Sequence, residues 1–105
     1  MKAKELMDNV AFDKELQKSP TLKKLYYQEK LTLTITELVS KLMLEKNVSK
    51  TKLAKKLGLK KSDITQFLNG SSIITLEFIS DILTVLDSEL SISTTPFIED
   101  QYMNF

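Results

Sequence analysis

The sequence predicts an all-α fold from two features. Along most of its 105 residues the apolar positions recur at spacings of three and four, the period of a helix with one face in a core. These periodic stretches are also bounded by residues that start and stop helices: Ser19-Pro20, Ser49, Gly58, Asn69-Gly70 and Thr75. At this length one domain with one core is expected.

A first helix is expected over about 3–18, with Leu6, Val10, Phe12 and Leu16 as an imperfect stripe. Ser19 then reads as an N-cap and Pro20 as a first helical residue, where the missing N–H costs nothing. Leu22, Leu25 and Tyr26 mark one face of a short helix to about Glu29. Leu31 to Thr36 alternates apolar and threonine residues in the manner of a strand. Ile35, Leu38, Val39, Leu42 and Met43 nevertheless continue at helical spacing, so a helix over about 32–46 is expected. Whether it joins the helix before it stays open.

After Asn47 the elements shorten. Ser49 caps a helix over 50–57 with Leu53, Ala54 and Leu57 inward, and Gly58 stops it in a left-handed conformation. A second short helix spans about 61–68, with Ile64, Phe67 and Leu68 inward. Thr75 caps a third to about Leu86, with Leu76, Ile79, Ile82, Leu83 and Leu86 toward the core. Phe78 and Val85 widen that stripe and suggest a partner surface. Leu90 to Thr94 alternates like a short strand before Thr95-Pro96 breaks it.

Composition removes several kinds of chemistry. The chain has no Cys, His or Trp, and so lacks disulfides, zinc sites of the usual ligands, and Ser-His-Asp or Cys-His nucleophiles. Two Gly and two Pro leave no glycine-rich phosphate loop or long flexible linker. Glu77 and Asp81 lie one helical turn apart, but with no positioned base or metal set they read as a solvated acidic face. No enzymatic activity and no cofactor are expected. No apolar run approaches the roughly 20 residues of a membrane span, and no signal peptide opens the chain; a cytoplasmic protein is expected.

Two short helices joined through one glycine are what a helix-turn-helix requires: Ala54 small where the helices cross, Gly58 at the turn, Ile64 and Phe67 pinning the second helix to the first. The run Val48-Ser-Lys-Thr-Lys-Leu-Ala-Lys-Lys-Leu-Gly-Leu-Lys-Lys-Ser-Asp-Ile-Thr-Gln-Phe-Leu-Asn-Gly70 resembles the helix-turn-helix of the Cro and lambda-repressor (XRE) type, and Ile74-Thr75-Leu76, opening a helix, is also similar to that family. Leu16 to Pro20, then Tyr26 or Tyr27, then the helix to Lys46, resembles the N-terminal extension of HigA-like antitoxins. The resemblance implies a lambda-repressor-like bundle over residues 31–90, preceded by a helical extension over 1–30 and followed by a short strand and an acidic-apolar tail over 91–105.

Charge distribution points to the same segment without reference to a family. The formal net charge is +1, yet residues 46–70 hold seven Lys against Asp63 alone, and residues 71–105 hold six acids and no cation. The balance is a +6 block followed by a −6 block, and the basic block coincides with the helix-turn-helix. Lys60 and Lys61 stand at the start of the second short helix, where the macrodipole disfavours cations by about 0.3–1 kcal/mol. A phosphate bound there reverses the sign of that effect. The family usually carries a small capping residue where this chain has Lys60.

With Ile64, Phe67 and Leu68 inward, Lys61, Ser62, Thr65 and Gln66 point outward. The resemblance implies that Lys61, Ser62 and Gln66 reach base edges, while Lys50 and Asn69 hold the phosphate backbone. Gln pairs with adenine, Thr touches a thymine methyl and Lys donates to guanine. All fifteen cations are Lys, which removes bidentate Arg–guanine contacts and favours an A·T-rich operator. Residues 50–66 contain no aromatic for stacking on RNA bases. The leading expectation is a homodimeric, sequence-specific repressor of double-stranded DNA. The alternative is an antitoxin that neutralises a cognate toxin by contact and autoregulates its operon, with Phe12, Leu16, Phe97, Ile98, Tyr102, Met103 and Phe105 as the apolar residues available for such a contact.

Overall fold

The computed structural model describes residues 18–96. The helix expected over 3–18 and the apolar residues from Phe97 onward lie outside that span, apart from Lys18 at its edge. Four helices follow one another: α1 (Pro20–Glu45), α2 (Lys50–Leu57), α3 (Lys61–Leu68) and α4 (Leu76–Val85). Packing of α1 on α3, and of α2 on both α3 and α4, closes one core. Val39, Met43, Leu53, Ala54, Ile64, Phe67, Ile79, Ile82 and Leu86 fill it.

The two helices expected over 20–29 and 32–46 are one helix of 26 residues. Ser19 caps it, accepting from the Leu22 N–H at 3.2 Å, with Pro20 in the first turn. The alternating Leu31–Thr36 segment remains helical, and its hydroxyls bond within the helix. Thr32 donates to the Gln28 carbonyl at 3.0 Å, Thr34 to that of Lys30 at 2.8 Å and Thr36 to that of Leu33 at 3.2 Å. Threonine back-bonding of this kind removes the polar cost of holding a β-branched run in a helix. Thr36 can therefore be buried beside Val39.

Every helix ends in the same device. A residue one or two positions past its last residue takes positive φ: Asn47 at 56°, Gly58 at 69°, Gly70 at 74° and Asp87 at 50°. In each case that residue's N–H bonds three residues back and the next N–H bonds five back, as in Leu59 N–H to Ala54 C=O at 2.8 Å and Ser71 N–H to Gln66 C=O at 3.0 Å. This paired closure satisfies carbonyls that a helix end leaves open, and among L-residues Asn and Asp tolerate the left-handed conformation best. The two glycines differ in their surroundings. A Cβ on Gly58 meets nothing within 4 Å, whereas one on Gly70 lies 3.2 Å from the Thr32 methyl of α1. Gly58→Ala is expected to lose about 1–2 kcal/mol to backbone strain alone. Gly70→Ala should lose more, because the added methyl presses on α1; urea midpoints of the two variants make the comparison.

Two expectations for the C-terminal part are corrected. Residues 91–96 have no regular structure and there is no strand at 90–94; an isolated alternating segment gains nothing by extending when no other strand among the described residues offers it a ladder. Leu76 does not face the core and is 87% exposed. It is the first residue of α4, where the inward stripe overhangs its neighbours, and burial begins one turn later at Ile79. Phe78 and Val85 are half-buried and pack on the core. The Phe78 ring meets Phe67 edge to face, with centroids 5.2 Å apart and an interplanar angle of 82°, so the added width of the stripe serves internal packing.

Candidate nucleic-acid interface

The site is built on α2 and α3, which pack closely through Leu53, Ala54, Ile64 and Phe67, all buried. Ala54 is 3% exposed, which fits a crossing point with room for a methyl group only. Ser49 caps α2, accepting from the Lys52 N–H at 3.1 Å. Gly58 turns the chain, and Lys60 stands at the N-cap of α3 in an extended conformation, with φ −89° and ψ 153°. A lysine side chain has no acceptor and cannot cap. The Asp63 carboxylate takes over the task by accepting from the Lys60 N–H at 2.9 Å.

Asp63, the one acid in the basic block, therefore fixes the start of α3 and places a negative charge in its first turn, where the dipole favours it. Asp63→Ala should lower stability by about 0.5–2 kcal/mol. The same change raises the charge of the block, so binding to DNA of arbitrary sequence at low salt should tighten. Differential scanning and a filter-binding titration read the two opposed effects.

Lys61, Ser62 and Gln66 are exposed on α3, and Asn69 is exposed just past its end. Ser62, Thr65, Gln66 and Asn69 follow one another at steps of three, one and three residues that keep them on one side of the helix. Thr65 is half-buried, so it presents less of itself than Ser62 or Gln66. Lys60 precedes this face and Lys50 comes from the first turn of α2, both exposed. Eight residues make α3 about 12 Å long, matched to a major groove about 12 Å wide.

The electrostatics divide in the same way. Lys46, Lys50, Lys52, Lys55, Lys56, Lys60 and Lys61 are all exposed, and none of them forms a salt bridge among the described residues, whereas Lys41 on α1 pairs with Glu45 at 4.0 Å. Seven unpaired ammonium groups on and beside two short helices give a strong positive field. Glu77, Asp81, Asp87 and Glu89 are exposed on and just after α4. Among the described residues no cluster of acids could hold a metal ion, and no helix is long and apolar enough to cross a membrane.

Two features of this surface are not evident from the sequence. Asp63 stands out there only as the lone acid of the block, although its place three residues after Lys60 is the spacing of a reciprocal cap. Ile73, in the link between α3 and α4, is 91% exposed; its signal is that it sits in the longest uncharged run of the chain, residues 64–76.

Comparison with known proteins agrees with this geometry. A family model described as helix-turn-helix matches residues 39–92. No curated protein and no solved structure matches the chain significantly.

Proposed function

We infer the function from the premise that this chain belongs to the Cro and lambda-repressor (XRE) type helix-turn-helix family, a family of DNA-binding regulators that are typically not enzymes. It is a homodimeric, sequence-specific repressor that lays α3 in the major groove of double-stranded DNA. The observation that carries this reading is the coincidence of the lysine-flanked start of α3 with a polar face of groove-matched length. A lysine at an N-cap weakens a free helix, and it gains a purpose when a phosphate lies opposite it.

In this reading Lys50, Lys60 and Asn69 hold phosphates and set the register of α3, while Lys61, Ser62, Thr65 and Gln66 meet base edges. One α3 reaches only a few base pairs, so two copies read half-sites about one helical turn apart. Residues 31–90 are the DNA-binding unit and 1–30 an extension joined to it through α1, with 91–105 as a tail. Without arginine the contacts to guanine are single lysine bonds, and an A·T-rich operator is favoured.

The test is the salt dependence of binding. Replacing Lys50, Lys60 and Lys61 together by Gln should lower the slope of log K against log salt by about 0.9 for each phosphate no longer neutralised, roughly 1.8 for the two held by Lys50 and Lys60. Binding to unrelated duplexes should weaken in parallel. A slope that is near zero in the parent protein, or unchanged in the triple variant, overturns the assignment.

A further inference from the structure

A surface beside the reading head fits a second copy of this chain. The side of α1 around Gln28 to Ile35 and the link from Ser72 to Ile74 enclose an open groove of about 440 Å³, lined by Leu31, Thr32, Ile35, Ile73 and Ile74 among others. Leu31 is 48% exposed and Ile73, at the lip, almost fully so. An isoleucine that protrudes beside an apolar hollow of its own chain is a self-complementary pair of shapes.

We propose that this groove is the core of a two-fold dimer contact, with Ile73 of each copy seated against Leu31 and Ile35 of the other. The inference rests on the reading of the protein as a homodimeric DNA-binding repressor and names the surface that the reading leaves unassigned.

Charge decides the occupant. In a two-fold contact the same patch meets itself, so like charges face one another. The lysine block of α2 and α3 cannot pair with its own copy, nor can the exposed acids Glu77, Asp81, Asp87 and Glu89 of α4 and its C-terminal end. A basic block docked on a neighbour's acidic end escapes repulsion, but that contact is head-to-tail, does not close on two copies and covers the lysines needed for DNA. Of the uncharged stretches that remain, 31–36 and 64–76 meet in this groove, whereas 90–96, with Ile92 exposed, has no regular structure with which to present a fixed face. Its one charged lining residue, Glu29, is followed by exposed Lys30, so an antiparallel copy can pair the two across the axis.

The position also suits paired half-sites. With half-sites about 34 Å apart, the centre of each α3 must lie about 17 Å from the two-fold axis. From that centre, half of α3 covers about 6 Å and the five residues 69–73 extend up to about 17 Å. The required distance falls inside that reach.

Ile73→Glu places a carboxylate in the partner's groove, and Leu31→Lys an ammonium. Both positions are exposed in the monomer, so melting temperatures should stay near that of the parent. In sedimentation equilibrium each variant alone should show a dimer dissociation constant raised about thirtyfold or more, as when a central interface residue is removed. Mixing the two variants should restore the dimer, because the carboxylate introduced at position 73 of one then meets the ammonium introduced at position 31 of the other. Leu44→Glu, a similar charge placed on an exposed residue outside the groove, should leave it intact. A dimeric parent whose Ile73→Glu variant remains equally dimeric overturns the assignment of this surface and leaves the repressor reading standing. A parent that stays monomeric both free and on DNA overturns the dimer reading itself, and this inference with it.

Discussion

Lys61→Ala with Gln66→Ala is expected to weaken binding to the cognate operator by about 2–5 kcal/mol, roughly thirtyfold or more, since each base-edge contact contributes about 1–3 kcal/mol. The two side chains are exposed on α3 and lie outside the core, so the melting temperature should change little. Their losses differ in kind. Removing Lys61 also removes a positive charge, so part of its effect should appear on any duplex and shrink at high salt. Removing Gln66 changes no charge and should relax discrimination at one base pair while leaving non-specific binding where it was. Competition titrations with single-base operator variants, repeated at two salt concentrations, separate the two. If the double variant binds operator and random duplex in the same ratio as the parent, α3 is not the element that reads the sequence.

Phe67→Ala, one residue further along α3, should have the opposite profile. Phe67 is 1% exposed, and its ring meets Phe78 edge to face. Removing it leaves a cavity in the core that α3 shares with the other helices, at an expected cost of about 3–5 kcal/mol. A domain of this size is held by about 5–15 kcal/mol in total, so the variant should be largely or partly unfolded at 37 °C. DNA binding should fall for every sequence alike, and should recover on cooling if the fold recovers. Thermal and urea unfolding followed by circular dichroism measure the loss. Phe67→Leu, which keeps most of the volume, should recover more than half of it.

The contrast between these neighbouring positions is legible in the sequence alone, because a helix of eight residues with Ile64 and Phe67 inward leaves Ser62 and Gln66 on the other side. The caps are legible for the same local reason. Ser19, Ser49 and Thr75 each accept from a backbone N–H three residues on, and Gly58 and Gly70 take the positive φ that ends a helix. The lysine block needs only a count along the chain. Asp63 is harder to read, since a capping carboxylate and a stray acid look alike unless the bond from the Lys60 N–H is known.

Other features depend on neighbours distant in sequence. Leu31 to Thr36 carries a strand pattern, and it is helical because α1 continues through it to place Thr36, Val39 and Met43 in the shared core. Leu76 fits the apolar stripe of α4 as well as Ile79 does, yet the first is almost fully exposed and the second buried. Phe78 looks surplus to that stripe and is half-buried on Phe67. Ile73 is inconspicuous in a run of small polar residues, and it stands at the lip of a groove whose other wall is α1.

By itself the sequence determined where the helices start and stop, which face of each is apolar, and where the positive charge lies, because caps, period and charge are carried by residues within a few positions of one another. Only the tertiary structure decided which apolar residues of those faces are covered. Periodicity defines a face of a helix, but burial requires another element opposite it, and among the described residues none covers Leu76 or Ile73.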